Sequence, residues 1–102
     1  MEVPKLNYTD LLTVDEALSR VRSDKKLFYA RFIQAMNDNL INEQVELKLF
    51  IIEIANNIPI TVYCAKKEWT SMLHNAKVYY ENLEFYETCQ VIVKLEKHLK
   101  KK

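Results

Sequence analysis

The sequence predicts an all-α fold, a small bundle of four to five helices, with one rival: an α+β chain carrying a β-hairpin at about residues 44–65. Three observations point to helices. Apolar residues recur at helical spacing over much of the chain. A capping box stands at Thr13–Glu16, and there is no glycine, the residue that β-turns and bulges most often recruit.

Residues 1–12 read as an N-terminal arm of irregular structure, pinned to the core by Leu6, Tyr8, Leu11 and Leu12. At Thr13 the hydroxyl can accept the amide proton of Glu16, and the Glu16 side chain can reach back, so a helix should start there and run to about Arg22. Ser23 or Asp24 can cap a second helix, in which Phe28, Phe32, Ala35, Met36 and Leu40 recur on one side. Asn37, Asn39 and Asn42 should end it, asparagine being the residue after glycine that best accepts left-handed backbone.

Residues 42–59 are the most apolar segment. As a helix they would carry Val45, Leu49 and Ile52 on one face and Leu47, Phe50, Ile51 and Ile54 on the other, as suits a helix inside a bundle. Asn42 would be the N-cap, and Asn56-Asn57 followed by Pro59 the stop. As strands, Val45, Leu47, Leu49 and Ile51 alternate with their neighbours, as do Ile58, Ile60, Val62 and Cys64, with Asn56-Asn57 as the turn. That alternation fails at the adjacent pair Ile51-Ile52, which favours the helix, with Leu49, Ile51, Ile52 and Ile54 in the core.

Beyond Pro59 a long helical pattern resumes in two stripes. Trp69, Leu73, Ala76, Tyr80 and Leu83 form the first, and Phe85, Cys89, Ile92, Leu95 and Leu99 the second, about two residues out of phase. One straight helix from residue 66 to residue 100 would span roughly 50 Å, against a radius of gyration near 13 Å for a compact domain of this size. The pattern therefore predicts a break near Glu81-Asn82, or a projecting helix that pairs with a second copy.

The 102 residues suit a single helical domain over 1–102, with a short basic tail at 100–102. With 49% hydrophobic and 28% charged residues the composition is that of an ordinary globular protein. No run approaches the roughly 20 apolar residues of a membrane span, and the N-terminus lacks the pattern of a secretory signal. Cys64 and Cys89 lie in apolar surroundings without a C-x-x-C spacing, which suggests buried thiols in a reducing, cytoplasmic compartment.

The absence of glycine excludes the P-loop, the G-x-G-x-x-G turn and the G-x-S-x-G elbow as motifs. His74 and His98 stand alone, and neither joins Cys64 or Cys89 at a metal-site spacing. Glu81, Glu84 and Glu87 are more simply a solvated face than an acid–base pair. Ser71 and His74 lack an orienting third group. The expectation is no enzyme, no cofactor and no metal.

Two function classes remain. The first is a non-enzymatic protein–protein interaction or regulatory module, homodimeric and not bound to a membrane. Its candidate partner-binding residues are Trp69, Tyr79, Tyr80, Phe85 and Tyr86, because one helix cannot bury both members of either adjacent pair. The alternative is a small nucleic-acid-binding regulator using two basic blocks. Arg20, Arg22, Lys25, Lys26 and Arg31 would converge with Lys94, Lys97, Lys100, Lys101 and Lys102 on phosphates. A net charge of only +1 and the lack of a groove-reading or base-reading signature weigh against it.

Overall fold

The computed structural model describes residues 3–38 and 46–100. The chain is α+β, so the all-α helical bundle is overturned and the rival hairpin is what forms. In order it has strand β1 (Lys5–Asn7), helices α1 (Val14–Ser23) and α2 (Lys25–Asp38), strands β2 (Glu46–Ile54) and β3 (Ile58–Ala65), and helices α3 (Trp69–Asn82) and α4 (Tyr86–Lys100). Asn39, Leu40, Asn42 and Val45, assigned above to helix ends and faces, lie outside the described residues, as do Lys101 and Lys102.

The sheet has the order β1-β2-β3, with β1 parallel and β3 antiparallel to the central β2. Among the described residues, helices cover one face only. Leu47, Phe50, Ile52, Ile54, Val62 and Cys64 are buried beneath them, while Lys48 and Tyr63 are exposed on the other face, with Ile51 and Thr61 half-buried there. The pairing of Lys48 with Tyr63 and of Phe50 with Val62 leaves Leu49 without a partner. This is a β-bulge, and it buries the adjacent side chains Leu49 and Phe50 together.

The bulge explains why strict alternation fails in β2, and the failure marks an extra residue in a strand instead of a helical turn. Glycine's task in the turn falls to Asn56, whose φ of 67° lies in the left-handed region inside a 3-10 turn over Ala55–Asn57. The bulge also turns backbone carbonyls away from the ladder. Arg31 of α2 answers them: its Nε donates to Leu49 O at 2.8 Å and its Nη2 to Lys48 O at 3.0 Å.

Helices α1 and α2 start where side chains cap them, whereas α3 has no side-chain cap. Thr13 Oγ1 accepts from the Glu16 amide at 3.2 Å and donates to the Glu16 carboxylate at 2.9 Å, so the two residues close on each other through the hydroxyl. Asp24 alone joins α1 to α2. Its amide bonds Arg20 O, and its side chain accepts from the Leu27 amide at 3.3 Å. The expected irregular arm is partly a strand, since Leu6 pairs with Ile52 in β1. Leu6, Tyr8 and Leu11 pack against the core, whereas Leu12 is 76% exposed.

The long C-terminal pattern is two helices, broken after Asn82. One buried cluster joins all the major elements, from Ala17 and Val21 of α1 through Phe28 and Phe32 of α2 to Leu73 and Ala76 of α3 and Ile92 and Leu95 of α4.

Candidate functional site

The corner between α3 and α4 is built by a helix stop that usually requires glycine. Glu84 has φ 61°. Its amide bonds Glu81 O at 3.0 Å, and the Phe85 amide bonds Tyr80 O at 2.9 Å. This pairing is a Schellman motif with Glu84 at the left-handed position, and the apolar contact that accompanies such motifs is Phe85 against Tyr80, with ring centroids 6.3 Å apart.

That contact is the outer end of a chain of rings. Phe50 in the sheet meets Phe28 at 6.4 Å, Phe28 meets Tyr29 at 6.1 Å, and Tyr29 meets Tyr79 at 5.2 Å. Tyr79 meets Tyr80 edge to face at 5.1 Å, and Tyr80 meets Phe85. The run leads from the core to the corner, where Phe85 is 53% and Tyr86 62% exposed. Leu83, placed in a buried stripe by its spacing, is 43% exposed there. Its backbone is still right-handed and its amide bonds Tyr79 O, so its exposure comes from its place at the end of α3, which periodicity alone does not reveal.

Of the five aromatic candidates, Trp69 and Tyr80 are buried, Tyr79 is half-buried, and Phe85 and Tyr86 reach the surface. Trp69 donates its indole N–H to Cys64 O at 3.0 Å, a role that fastens α3 to β3. Burial, with a smaller contribution from Tyr79, raises the Tyr80 phenol above its ordinary pKa.

Tyr86 leads into an open groove of about 840 Å³ along the seam of the helical hairpin. Lys77, Glu81 and Asn82 line it from α3, and Cys89, Val93, Lys94 and Lys97 from α4. Lys77 is held by Glu96 at 3.2 Å, whereas no ion pair engages Lys94 or Lys97 among the described residues. Acid therefore stands at the corner end of the groove and free base at the far end.

The basic blocks fare differently. Arg20 is bound to Asp10 through two bonds of 2.9 and 2.7 Å and lies over the Tyr8 ring, 5.1 Å from its centroid. That bond holds the Asp10 carboxyl below its ordinary pKa. Arg31 is only 8% exposed and committed to the bulge. Burial lowers its pKa, although an arginine stays charged. Arg22, Lys25 and Lys26 are exposed on α1 and α2, and Lys94, Lys97 and Lys100 on α4. Arg22 lines a cleft of about 350 Å³ between α2, β3 and α3 and not the α4 groove.

That cleft also holds Tyr29, Cys64, Glu68 and Ser71. Burial pushes the Cys64 thiol up to about 11, with Glu68 adding to the shift and Arg22 opposing it, so the thiol stays protonated at neutral pH and is a poor nucleophile. Among the described residues no group of His, Cys, Asp and Glu is placed to hold a metal ion. His74 is exposed, and the Nε2 of His98 is buried without a hydrogen-bond partner.

No family model, curated protein or solved structure matches the chain. Among the described residues no helix is long and apolar enough to cross a membrane.

Proposed function

We propose that the chain is a non-enzymatic protein-interaction module, regulatory in kind, whose contact surface is the α3–α4 corner with its adjoining groove. The observation that carries this reading is the exposure of Leu83, Phe85 and Tyr86 together on one helix stop. Large rings with an apolar body are the side chains most often found at the centre of protein interfaces. Here Phe85 is held from beneath by Tyr80, the last of the ring-to-ring contacts that run back to Phe50. A surface anchored in this way loses little conformational freedom on binding, which favours affinity.

The nucleic-acid alternative is weakened by the commitments of two of the five cations of the first block: Arg20 is engaged by Asp10 in an exposed ion pair, and Arg31 is buried against the bulge carbonyls. The buried, unpaired cysteines support a reducing compartment and thus a cytoplasmic location for the module.

Photo-crosslinking in the cells that make the protein tests the reading. A photo-reactive phenylalanine analogue at Tyr86 should give a discrete protein adduct, and the same analogue at the exposed Ser19 of α1 should not. Adducts to nucleic acid at Tyr86, or equal protein labelling from both positions, would overturn it.

A further inference from the structure

We infer that the occupant of the α3–α4 groove is a second copy of this chain, its α4 lying antiparallel to the first. The inference rests on the interaction reading above and names its partner. Charge is ordered along the hairpin. Glu81 stands in the groove at the corner end, Glu87 is exposed on the first turn of α4 just outside the groove lining, and Lys94 and Lys97 line the groove at the far end. Seven residues of helix separate Glu87 from Lys94, about 10 Å, too far for either to neutralise the other. None of the four is in an ion pair among the described residues.

An antiparallel copy places each acidic end on the partner's basic end, and two-fold symmetry makes both contacts at once. A parallel copy would set like charge on like. The surface is therefore complementary to itself in one orientation only. Tyr86 and Val93, seven residues apart on α4, line the same groove, and Phe85 and Val91 are exposed nearby, so the pair also gains apolar contact. Acids at the start and bases at the end of α4 also complement its own dipole. That accounts for the charges in a lone chain but not for leaving Phe85, Tyr86 and Val91 in water. The contact length is set by α4, whose 15 residues span about 22 Å. That is a short contact, and it places the pair at the lower end of stable interfaces. The dimer should form in the micromolar range and weaken with salt.

Sedimentation equilibrium with charge exchange tests this. The wild-type chain should dimerise. Lys94→Glu/Lys97→Glu places acid against acid, Glu81→Lys/Glu87→Lys places base against base, and each variant alone should raise the dissociation constant at least about tenfold. Mixed in equal amounts, the two variants restore both contacts and should form a heterodimer close to wild-type affinity. Circular dichroism confirms that each variant is folded. A wild-type chain that stays monomeric, variants that dimerise like wild type, or a mixture that fails to associate would each overturn the inference. A monomeric wild type whose position 86 crosslinks to a different protein overturns this inference and leaves the interaction reading standing.

Discussion

Replacing Arg31 by methionine removes the guanidinium while keeping most of the aliphatic stem, and it isolates what the β-bulge needs. The bond from Nε to Leu49 O reaches a carbonyl in the interior. A buried bond from a charged donor contributes about 1.5–3 kcal/mol. The bond from Nη2 to Lys48 O is only partly buried, so water can replace much of it and the loss is about 0.5–1 kcal/mol. Together Arg31→Met should cost about 2–4 kcal/mol, a large part of the roughly 5–15 kcal/mol that holds a domain of this size. Arg31→Lys keeps the charge but not the fork, so it can serve one carbonyl well and should cost about half as much. Urea unfolding followed by circular dichroism and by Trp69 fluorescence measures both. A loss below about 0.5 kcal/mol for Arg31→Met, or a lysine variant equal to wild type, would refute the claim that the guanidinium satisfies the bulge.

Three further outcomes follow from the same structure. Ile52→Ala should cost about 2–5 kcal/mol, while Ile51→Ala, on the open face of the sheet, should cost clearly less by the same urea titration; equal losses would contradict the strand assignment. Glu84→Gly should stabilise by about 1 kcal/mol, because glycine accepts positive φ without the Cβ penalty, and thermal unfolding should show a midpoint several degrees higher. Cys64, with its pKa raised from 9.0 to about 11 by burial, contributes stability that is fully present below the unfolded thiol's value and is lost as pH rises through about 11. Urea midpoints between pH 8 and pH 11 should therefore fall more steeply for wild type than for Cys64→Ala, and parallel curves would show that the thiol is not protected.

What was legible in the sequence was local. The Thr13 box, the Asp24 junction and the break after Asn82 depend on residues within one or two turns of each other, and each forms where its side chains permit. The central segment reads as a helix in the sequence because a single extra residue, Leu49, changes which side chains share a face, and the break this makes in the two-residue period looks the same as a change to helical spacing. The missing glycine also misled: Asn56 and Glu84 take the left-handed conformations that glycine would otherwise supply. Strand β1 was invisible because its three residues owe their conformation to Ile51, Ile52 and Glu53, more than forty positions away. At the candidate site, the exposure of Phe85 and Tyr86 could be argued from their adjacency. The commitment of Arg31 to backbone carbonyls could not, since the bulge that creates those acceptors was itself hidden.

The short first strand has a consequence for the chain's solubility. Besides its three paired residues, the N-terminal segment supplies the Pro4 carbonyl to the Ile51 amide, the Tyr8 amide to Glu53 O and the Leu11 carbonyl to the Ala55 amide. These contacts occupy the outer backbone of the second half of β2, where Phe50, Ile51, Ile52 and Ile54 are concentrated. Strip them away and a β-rich, nearly uncharged template lies open to strand addition by any similar chain. A handful of residues, contributing little to the core, thus acts as a guard against aggregation. Removing Lys5–Asn7 should shorten the soluble lifetime of the protein well before it abolishes the fold.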